Sequence, residues 1–256
     1  MTEPRTPRRG EIAVCQLILL IAVLTVWEWS SGRYIDTLLA STPSDIYAQS
    51  LAWLKRGVLQ RAAWDTTRIV AISLLAGGSI GLLLGLLAGA SRRCEHIVMP
   101  FVKVGFALPK VALIPLFILW FGTGDLQKFV LASLTVSFFF FFAGYEGMRS
   151  LPQTMNNVLH LYGATPFQRL RLLYLPASLG WTLASIRIAV PYAFVAVTSA
   201  EIVASAGGLG LLAKNNAAAM NTAGTFSAIA CVTLLGAASG SLVGWLARRT
   251  RWRLQN

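Results

Sequence analysis

Long apolar runs alternate with short polar and basic segments along this chain of 256 residues. Six runs approach the roughly 20 apolar residues that a helix needs to cross a bilayer. We interpret all six as helices, because unpaired backbone is costly in lipid and the strict alternation of a barrel strand is absent. The prediction is an all-α, polytopic membrane helical bundle, with one domain over residues 1–256 and spans at 12–29, 69–90, 99–121, 129–145, 181–202 and 226–247.

Composition fits a membrane protein and changes the meaning of the net charge. Hydrophobic residues make up 55% of the chain and charged residues 12%, whereas an ordinary soluble domain is about a quarter charged. A net charge of +12 would suggest nucleic acid in a soluble protein. Here the basic residues lie mostly between apolar runs, where they set orientation and meet lipid headgroups. We therefore expect contact with membrane lipid and not with nucleic acid.

The distribution of Lys and Arg predicts the orientation of the bundle. With the N-terminus inside, the inner segments hold twelve basic residues and the outer segments six. Because cytoplasmic loops carry the excess of Lys and Arg, both termini should be cytoplasmic. The predicted cytoplasmic parts are the N-terminal segment 1–11, the loop 146–180 and the C-terminal segment 248–256.

Two segments near the N-terminus have two interpretations each. Basic residues precede the first run and small residues follow it, as in a signal peptide, but Trp27 and Trp29 form an interfacial pattern that favours a retained helix. Residues 44–66 carry apolar side chains at near-helical spacing among charges. They form either an amphipathic helix on the outer surface or a solvated linker.

A glycine stripe marks the second run. Gly77, Gly81, Gly85 and Gly89 recur every four residues and therefore share one helix face. Such a face forms a shallow groove in which another helix can lie, so the four glycines are predicted helix-packing positions.

The segment 146–180 is too polar to cross the membrane and too patterned to be a slack loop. A short helix can form over residues 151–162, with Gly163 ending it. A second can begin near Pro166 and stop at Leu175–Pro176. The pair should form a stiff elbow that offers an apolar face to a cytosolic partner with a groove.

This elbow resembles the cytoplasmic loop of permeases of binding-protein-dependent ABC importers, whose consensus is close to E-A-A-x-x-x-G followed further on by L-P. Gly163, Ala164, Leu175 and Pro176 match that pattern in spacing. Residues 157–159 read Asn-Val-Leu where the family has Glu-Ala-Ala, so the chain departs from the family there.

Four further stretches resemble the branch of this family that takes up nitrate, taurine and other sulfonates, and riboflavin or thiamine precursors. They are residues 108–125, 145–150, 186–190 and 200–210. The resemblance covers nearly the whole chain from about residue 40 and implies the type I importer fold in a bacterial inner membrane.

By resemblance, this chain is the permease subunit for a small polar or anionic solute. Its implied partners are ABC ATPase subunits that bind ATP and Mg, an extracytoplasmic substrate-binding protein and a second permease copy in a homodimer. No cofactor, metal or catalytic residue is expected in this chain. The implied ATPase-coupling residues are Met155, Asn157, Val158, Leu159, Tyr162, Gly163, Ala164, Thr165, Pro166 and Phe167.

Charges inside predicted spans are candidates for the solute path, because they are costly in lipid. Glu201 either braces the outer gate through backbone N–H groups, lines the path or reaches the outer interface. Arg187 either meets an anion at the inner exit or snorkels to headgroups. Lys110 is expected at a helix break near the inner mouth of the path. The resemblance also implies that an outer loop with Gly207, Gly208 and Gly210 approaches the binding protein.

Two other functional classes compete with the permease interpretation. An intramembrane enzyme needs a catalytic constellation, and the sequence offers neither an H-E-x-x-H nor a G-x-S-x-G motif. A self-contained secondary transporter or channel is the alternative function. It predicts paired intramembrane acids, a filter or inverted repeats, and the sequence pattern shows none of these.

Overall fold

The computed structural model describes the backbone of residues 9–254 and the side chains of residues 10–152, 154–155 and 157–245. Nearly all of this part of the chain is helical and none of it forms a β-strand, which confirms the all-α prediction. The helices are α1 (Arg9–Ser30), α2 (Pro43–Lys55), α3 (Val58–Ala90), α4 (Arg92–Ala107), α5 (Ile114–Phe121), α6 (Asp125–Arg149), α7 (Gln153–Leu161), α8 (Pro166–Arg169), α9 (Leu175–Val203), α10 (Leu209–Ala218) and α11 (Thr222–Leu254).

The described residues contain five helices long and apolar enough to cross a membrane. They are α1, α3, α6, α11 and the continuous helix of α8 and α9. The pair of α4 and α5, bent by 85° where they meet, supplies a sixth span if it is counted as one. This confirms the predicted polytopic helical bundle, and five of the six predicted runs lie within single observed helices.

The third predicted run, 99–121, is continuous in hydropathy but is broken in the structure, next to Lys110, where the sequence also suggested a helix break. α4 ends at Ala107, and Leu108 is extended, with φ −60° and ψ 134°. Proline disfavours helical geometry in the residue before it, so Pro109 ends α4 at this point. A 3₁₀ turn, Lys110–Leu113, then leads into α5.

The second helix of the elbow does not stop at Leu175–Pro176, contrary to the sequence pattern. The chain is helical from Pro166 to Val203, and a π-helical turn at Leu170–Tyr174 comes just before the proline. Pro176 lies in the first turn of α9. The wide turn accommodates a residue that lacks an N–H, so the helix continues.

The segment 44–66 is helical but not one helix. α2 begins after Thr42, whose side chain accepts a hydrogen bond from the Asp45 N–H. Gly57, with φ +73°, separates α2 from α3, and the remaining residues form the start of α3. The solvated linker is therefore excluded for residues 44–55 and 58–66.

The core of the bundle is formed by α3, α6 and α9. Side chains such as Val136 and Ala193 are fully buried between these helices. The four stripe glycines lie on the face of α3 that packs against α6. A Cβ added at Gly77, Gly81 or Gly85 would come within 3.0 Å of α6 backbone atoms. Lipid tails are as apolar as the helix surfaces, so there is no hydrophobic driving force for helix association. The van der Waals contact of this close packing therefore holds α3 and α6 together.

Part of the predicted tails lies outside the description. Residues 1–8 of the N-terminal segment, residues 255–256, and the side chains of residues 246–254 are not among the described residues.

Candidate functional site

The α7–α8 elbow, residues 151–169, is held in a defined shape by local contacts. Gly163 has φ +73°, a backbone conformation that residues other than glycine adopt only at a cost in free energy. The Thr165 hydroxyl accepts a hydrogen bond from the Gln168 N–H at 3.3 Å. The Gln168 side-chain oxygen in turn accepts one from the Thr165 N–H at 2.8 Å. This capping box fixes the start of α8 and makes the elbow stiff.

Large apolar side chains project from the elbow without covering one another. Leu161 and Tyr162 are 85% and 86% exposed, and Phe167, Met155 and Val158 are also exposed. The elbow thus presents an apolar surface at one end of the bundle, called here the α7 end. Among the other residues predicted for ATPase coupling, Leu159 and Ala164 are half-buried. The remaining four are exposed: Asn157, Gly163, Thr165 and Pro166.

An ion pair ties α4 to α6 at the base of the elbow. Arg149 Nη2 lies 2.7 Å from Glu95 Oε1 and 2.5 Å from Oε2. The Tyr145 hydroxyl donates a hydrogen bond to Glu95 Oε1 at 2.5 Å. Sequence reasoning missed this cluster, although Tyr145 and Arg149 stand one helical turn apart within the stretch 145–150.

A central cavity of about 310 Å³ lies where the break between α4 and α5 faces the middle of α6 and α9. Its wall is mainly aromatic and aliphatic, with Lys110 as the charged group. The lining residues are Phe106, Lys110, Val111, Leu131, Thr135, Phe139, Ile188, Tyr192, Val195 and Ala196.

Lys110 is at the helix break, where sequence reasoning expected it. Its Nζ donates a hydrogen bond to the Phe106 carbonyl oxygen at 2.8 Å. The same atom lies 5.1 Å and 4.9 Å from the ring centroids of Phe106 and Phe138. The aromatic faces and the free carbonyl at the end of α4 hold the ammonium at the cavity wall.

At the opposite end of the bundle, called the α10 end, Glu201 is completely buried, with 0% exposure. The Thr66 hydroxyl lies 3.0 Å and 2.9 Å from its two oxygens, and the Gly210 N–H donates to Oε2 at 2.9 Å. Thr66 also accepts a hydrogen bond from the Leu209 N–H at 2.9 Å. These hydrogen bonds hold the start of α10 against α3 and α9, and Glu201 does not reach the surface, which excludes its interfacial interpretation.

Glu201 belongs to a chain of alternating charges that sequence reasoning did not find. Lys128 is 1% exposed, and its Nζ lies 3.7 Å from Glu201 Oε1 and 2.8 Å from Asp125 Oδ1. Arg68 pairs with the other Asp125 oxygen at 2.5 Å. Lys128 and Glu201 are buried, whereas Arg68 and Asp125 are about half-exposed. The buried acid is thus paired with the buried base, which is itself paired with Asp125 at the surface, as a buried charge requires. Lys128 also donates to the Ser205 hydroxyl at 3.2 Å.

The glycines of the predicted outer loop, Gly207, Gly208 and Gly210, lie against this chain of charges. A Cβ at Gly208, where φ is +111°, would overlap the Glu201 carboxylate. The Ser205 hydroxyl donates to the Gly207 carbonyl oxygen at 2.6 Å. The structure thus brings Glu201, Gly207, Gly208 and Gly210 together, and they pin loop 204–208 and the start of α10 onto the bundle.

Arg187 lies apart from both the cavity and the chain of charges. Its Nη2 donates a hydrogen bond to the Gly244 carbonyl oxygen at 2.8 Å, which joins α9 to α11. Among the described residues, no group of three or more His, Cys, Asp or Glu is arranged to hold a metal ion.

Known proteins resemble this chain in sequence and in fold. A permease of Haemophilus influenzae, named a probable ABC transporter permease protein, is 28% identical over 92% of this chain and 96% of its own length. The putative aliphatic sulfonates transport permease protein SsuC of Bacillus subtilis is 26% identical over 93% and 87%. A chain of the inward-facing MetNI methionine ABC transporter superposes with a TM-score of 0.65 at 20% identity, over 78% of this chain and 97% of that chain, which shows a shared fold.

The model of the family described as binding-protein-dependent transport system inner membrane component matches residues 81–252. This range holds the α7–α8 elbow, the whole lining of the central cavity, and Glu201 with its glycine loop. The chain therefore belongs to the family of inner membrane components of binding-protein-dependent transport systems.

Proposed function

We propose that this chain forms the solute path of an ABC importer, and that a separate ATPase, which binds ATP and Mg, drives it through the α7–α8 elbow. The observation that carries the proposal is the exposed apolar surface of the elbow. Leu161 and Tyr162 are more than four-fifths exposed on a capped, stiff segment. Such a surface on a rigid projection is typical of a docking site for another protein.

The elbow is suited to transmit force because of the helices that carry it. It follows α6 directly and continues into α9 without a break. Both helices belong to the core and both line the central cavity. Movement of the elbow therefore shifts two walls of the cavity, as alternating access between inward-open and outward-open states requires.

The remaining assembly follows from this orientation. With the elbow in the cytosol, both termini are cytoplasmic and the α10 end faces outward, where a substrate-binding protein docks near loop 204–208. Two copies of the chain form the path as a homodimer. The names of the relatives from Haemophilus influenzae and Bacillus subtilis, a probable ABC transporter permease and a putative aliphatic sulfonates transport permease, support the role of this chain as a transport permease.

Co-expression and co-purification with a cognate ABC ATPase tests the proposal. Leu161→Ala and Tyr162→Ala together should abolish recovery of the ATPase and ATP-driven uptake. Leu119→Ala is the matched control, because Leu119 is an apolar residue of similar exposure in α5, outside the elbow. Equal recovery of the ATPase with the elbow variant contradicts the proposal, and uptake into liposomes without nucleotide would establish a secondary transporter or channel instead.

A further inference from the structure

A polar pocket of about 310 Å³ lies at the α7 end of the bundle, between the turn that joins α3 to α4 and the base of the elbow. We call it the Arg92 pocket. It is lined among others by Ala90 of α3, Arg92 of α4, Arg149 of α6, Leu151 of the elbow and Tyr174 of the π-helical turn. A ligand in this pocket would therefore touch the ends of three membrane helices and the elbow at once.

The Arg92 pocket is positively charged. None of the residues that line it is Asp or Glu. The nearby acid, Glu95, already binds Arg149 through both of its carboxylate oxygens. Arg92 is exposed and, within the described part of the chain, no carboxylate lies within 4.0 Å of its guanidinium. Arg92 thus keeps a positive charge that an anionic ligand can balance.

The two guanidinium groups of the pocket suit a phosphate. A guanidinium is planar and carries five N–H donors in a fork that matches the oxygen atoms of a phosphate group. The contacts of Arg149 with Glu95 and Tyr145 use Nη2 and Nε, so Nη1 can still donate to a ligand. Basic pockets between membrane helices bind phospholipid headgroups by the same chemistry.

An exposed apolar stripe on α3 leads to the pocket. Leu83, Leu87 and Ala90 follow one another at spacings of four and three residues and therefore share one helix face. Leu83 and Leu87 are 56% and 63% exposed, and Ala90 lines the pocket. At a rise of about 1.5 Å per residue, the two leucines lie roughly 5 Å and 10 Å from Ala90 along the axis. An acyl chain on this stripe would bring its phosphate to the pocket, which favours a membrane phospholipid over phosphate in solution.

We propose that the Arg92 pocket binds the phosphate of an anionic phospholipid, whose acyl chains lie along the Leu83–Leu87 stripe of α3. The bound lipid joins the α3–α4 turn to Arg149 and to the base of the elbow. An anionic headgroup is preferred because the ammonium group of a zwitterionic headgroup cancels the charge that would balance Arg92. This site is distinct from the general contact of basic residues with headgroups, and its occupancy does not depend on ATPase binding.

Native mass spectrometry of the purified chain, titrated with phosphatidylglycerol, tests the assignment. Phosphatidylcholine and inorganic phosphate are the comparison ligands. Arg92→Gln should weaken phosphatidylglycerol binding by about tenfold or more, the effect of losing a charged hydrogen bond. Arg92→Lys keeps the charge and should lose less. Arg93→Gln is the matched control, because Arg93 is also exposed in the first turn of α4 but does not line the pocket.

The assignment is supported if phosphatidylglycerol binds more tightly than phosphatidylcholine and if Arg92→Gln, but not Arg93→Gln, weakens its binding. Equal affinity for the two lipids, or an equal loss in the two glutamine variants, would reveal only a diffuse attraction between surface charges and overturns it. Displacement of phosphatidylglycerol by an excess of inorganic phosphate also overturns it, because the pocket would then be a site for phosphate in solution.

Discussion

Arg149 and Glu95 join the end of α6 to the first turn of α4, with 2.5 Å between Arg149 Nη2 and Glu95 Oε2. α6 leads directly into the α7–α8 elbow, and α4 ends beside Lys110. The pair thus lies between the surface that we propose for the ATPase and the charged wall of the cavity. Because both side chains are partly exposed and screened by solvent, the pair adds little to stability, and its main role is to link the two helices.

Loss of this pair should uncouple transport more than it unfolds the protein. Glu95→Arg and Arg149→Glu, each alone, place like charges together and should lower ATP-driven uptake while the reconstituted complex still hydrolyses ATP. The double variant restores opposite charges and should recover much of the uptake. Parallel assays of uptake and hydrolysis in proteoliposomes measure this, and full uptake by either single variant excludes the link.

The contact of α3 with α6 should tolerate no side chain at Gly81. Gly81→Ala puts a Cβ within 3.0 Å of the Ser137 backbone, and we expect a loss of about 1–3 kcal/mol from overpacking. Gly236→Ala in α11 is the control, because a Cβ there meets Phe194 at an ordinary distance of 3.8 Å. The free energy of unfolding of both variants is measured in mixed micelles. Equal stability of the two variants would contradict tight packing of α3 on α6.

Glu201 should be important for the stability of the α10 end. Glu201→Ala leaves Lys128 with one carboxylate partner and removes the acceptor for Thr66 and Gly210. Removing one partner of a buried pair costs about 3–5 kcal/mol, and we expect a loss near the lower figure because Asp125 remains. Glu146→Ala, at an exposed position of α6, should change stability by less than about 0.5 kcal/mol. The free energy of unfolding is measured for both variants. If Glu201→Ala loses as little stability as the control, the proposed role of Glu201 in stability is wrong.

The backbone at Gly163 should matter for ATPase docking without affecting the fold of the bundle. No atom lies within 4 Å of a Cβ added there, so the effect of a substitution comes from its φ of +73°. Valine rarely adopts this conformation and should displace the elbow, whereas asparagine tolerates it better. ATPase recovery should therefore fall strongly for Gly163→Val and slightly for Gly163→Asn, with both variants folded. Equal recovery from the two would show that the elbow does not depend on this turn.

Hydropathy predicts the helices of this protein well, because lipid leaves the backbone few alternatives. The break at Pro109 is invisible to hydropathy, since it arises from backbone geometry within an apolar run. The contacts of Glu201 were harder to predict still. Its partner Thr66 lies 135 residues away along the chain, and only the packing of α3 against α6 and α9 brings the two together.

Photocross-linking from the elbow shows directly whether the elbow contacts the ATPase. A photoreactive amino acid replaces Tyr162, and in a second variant Trp64, an exposed aromatic residue near the α10 end of α3. Cells that express the whole transporter are irradiated, and adducts are identified by mass. We expect an adduct with the ATPase from position 162 and none from position 64. An ATPase adduct from position 64, or none from position 162 in a transporter that is active, would contradict this contact.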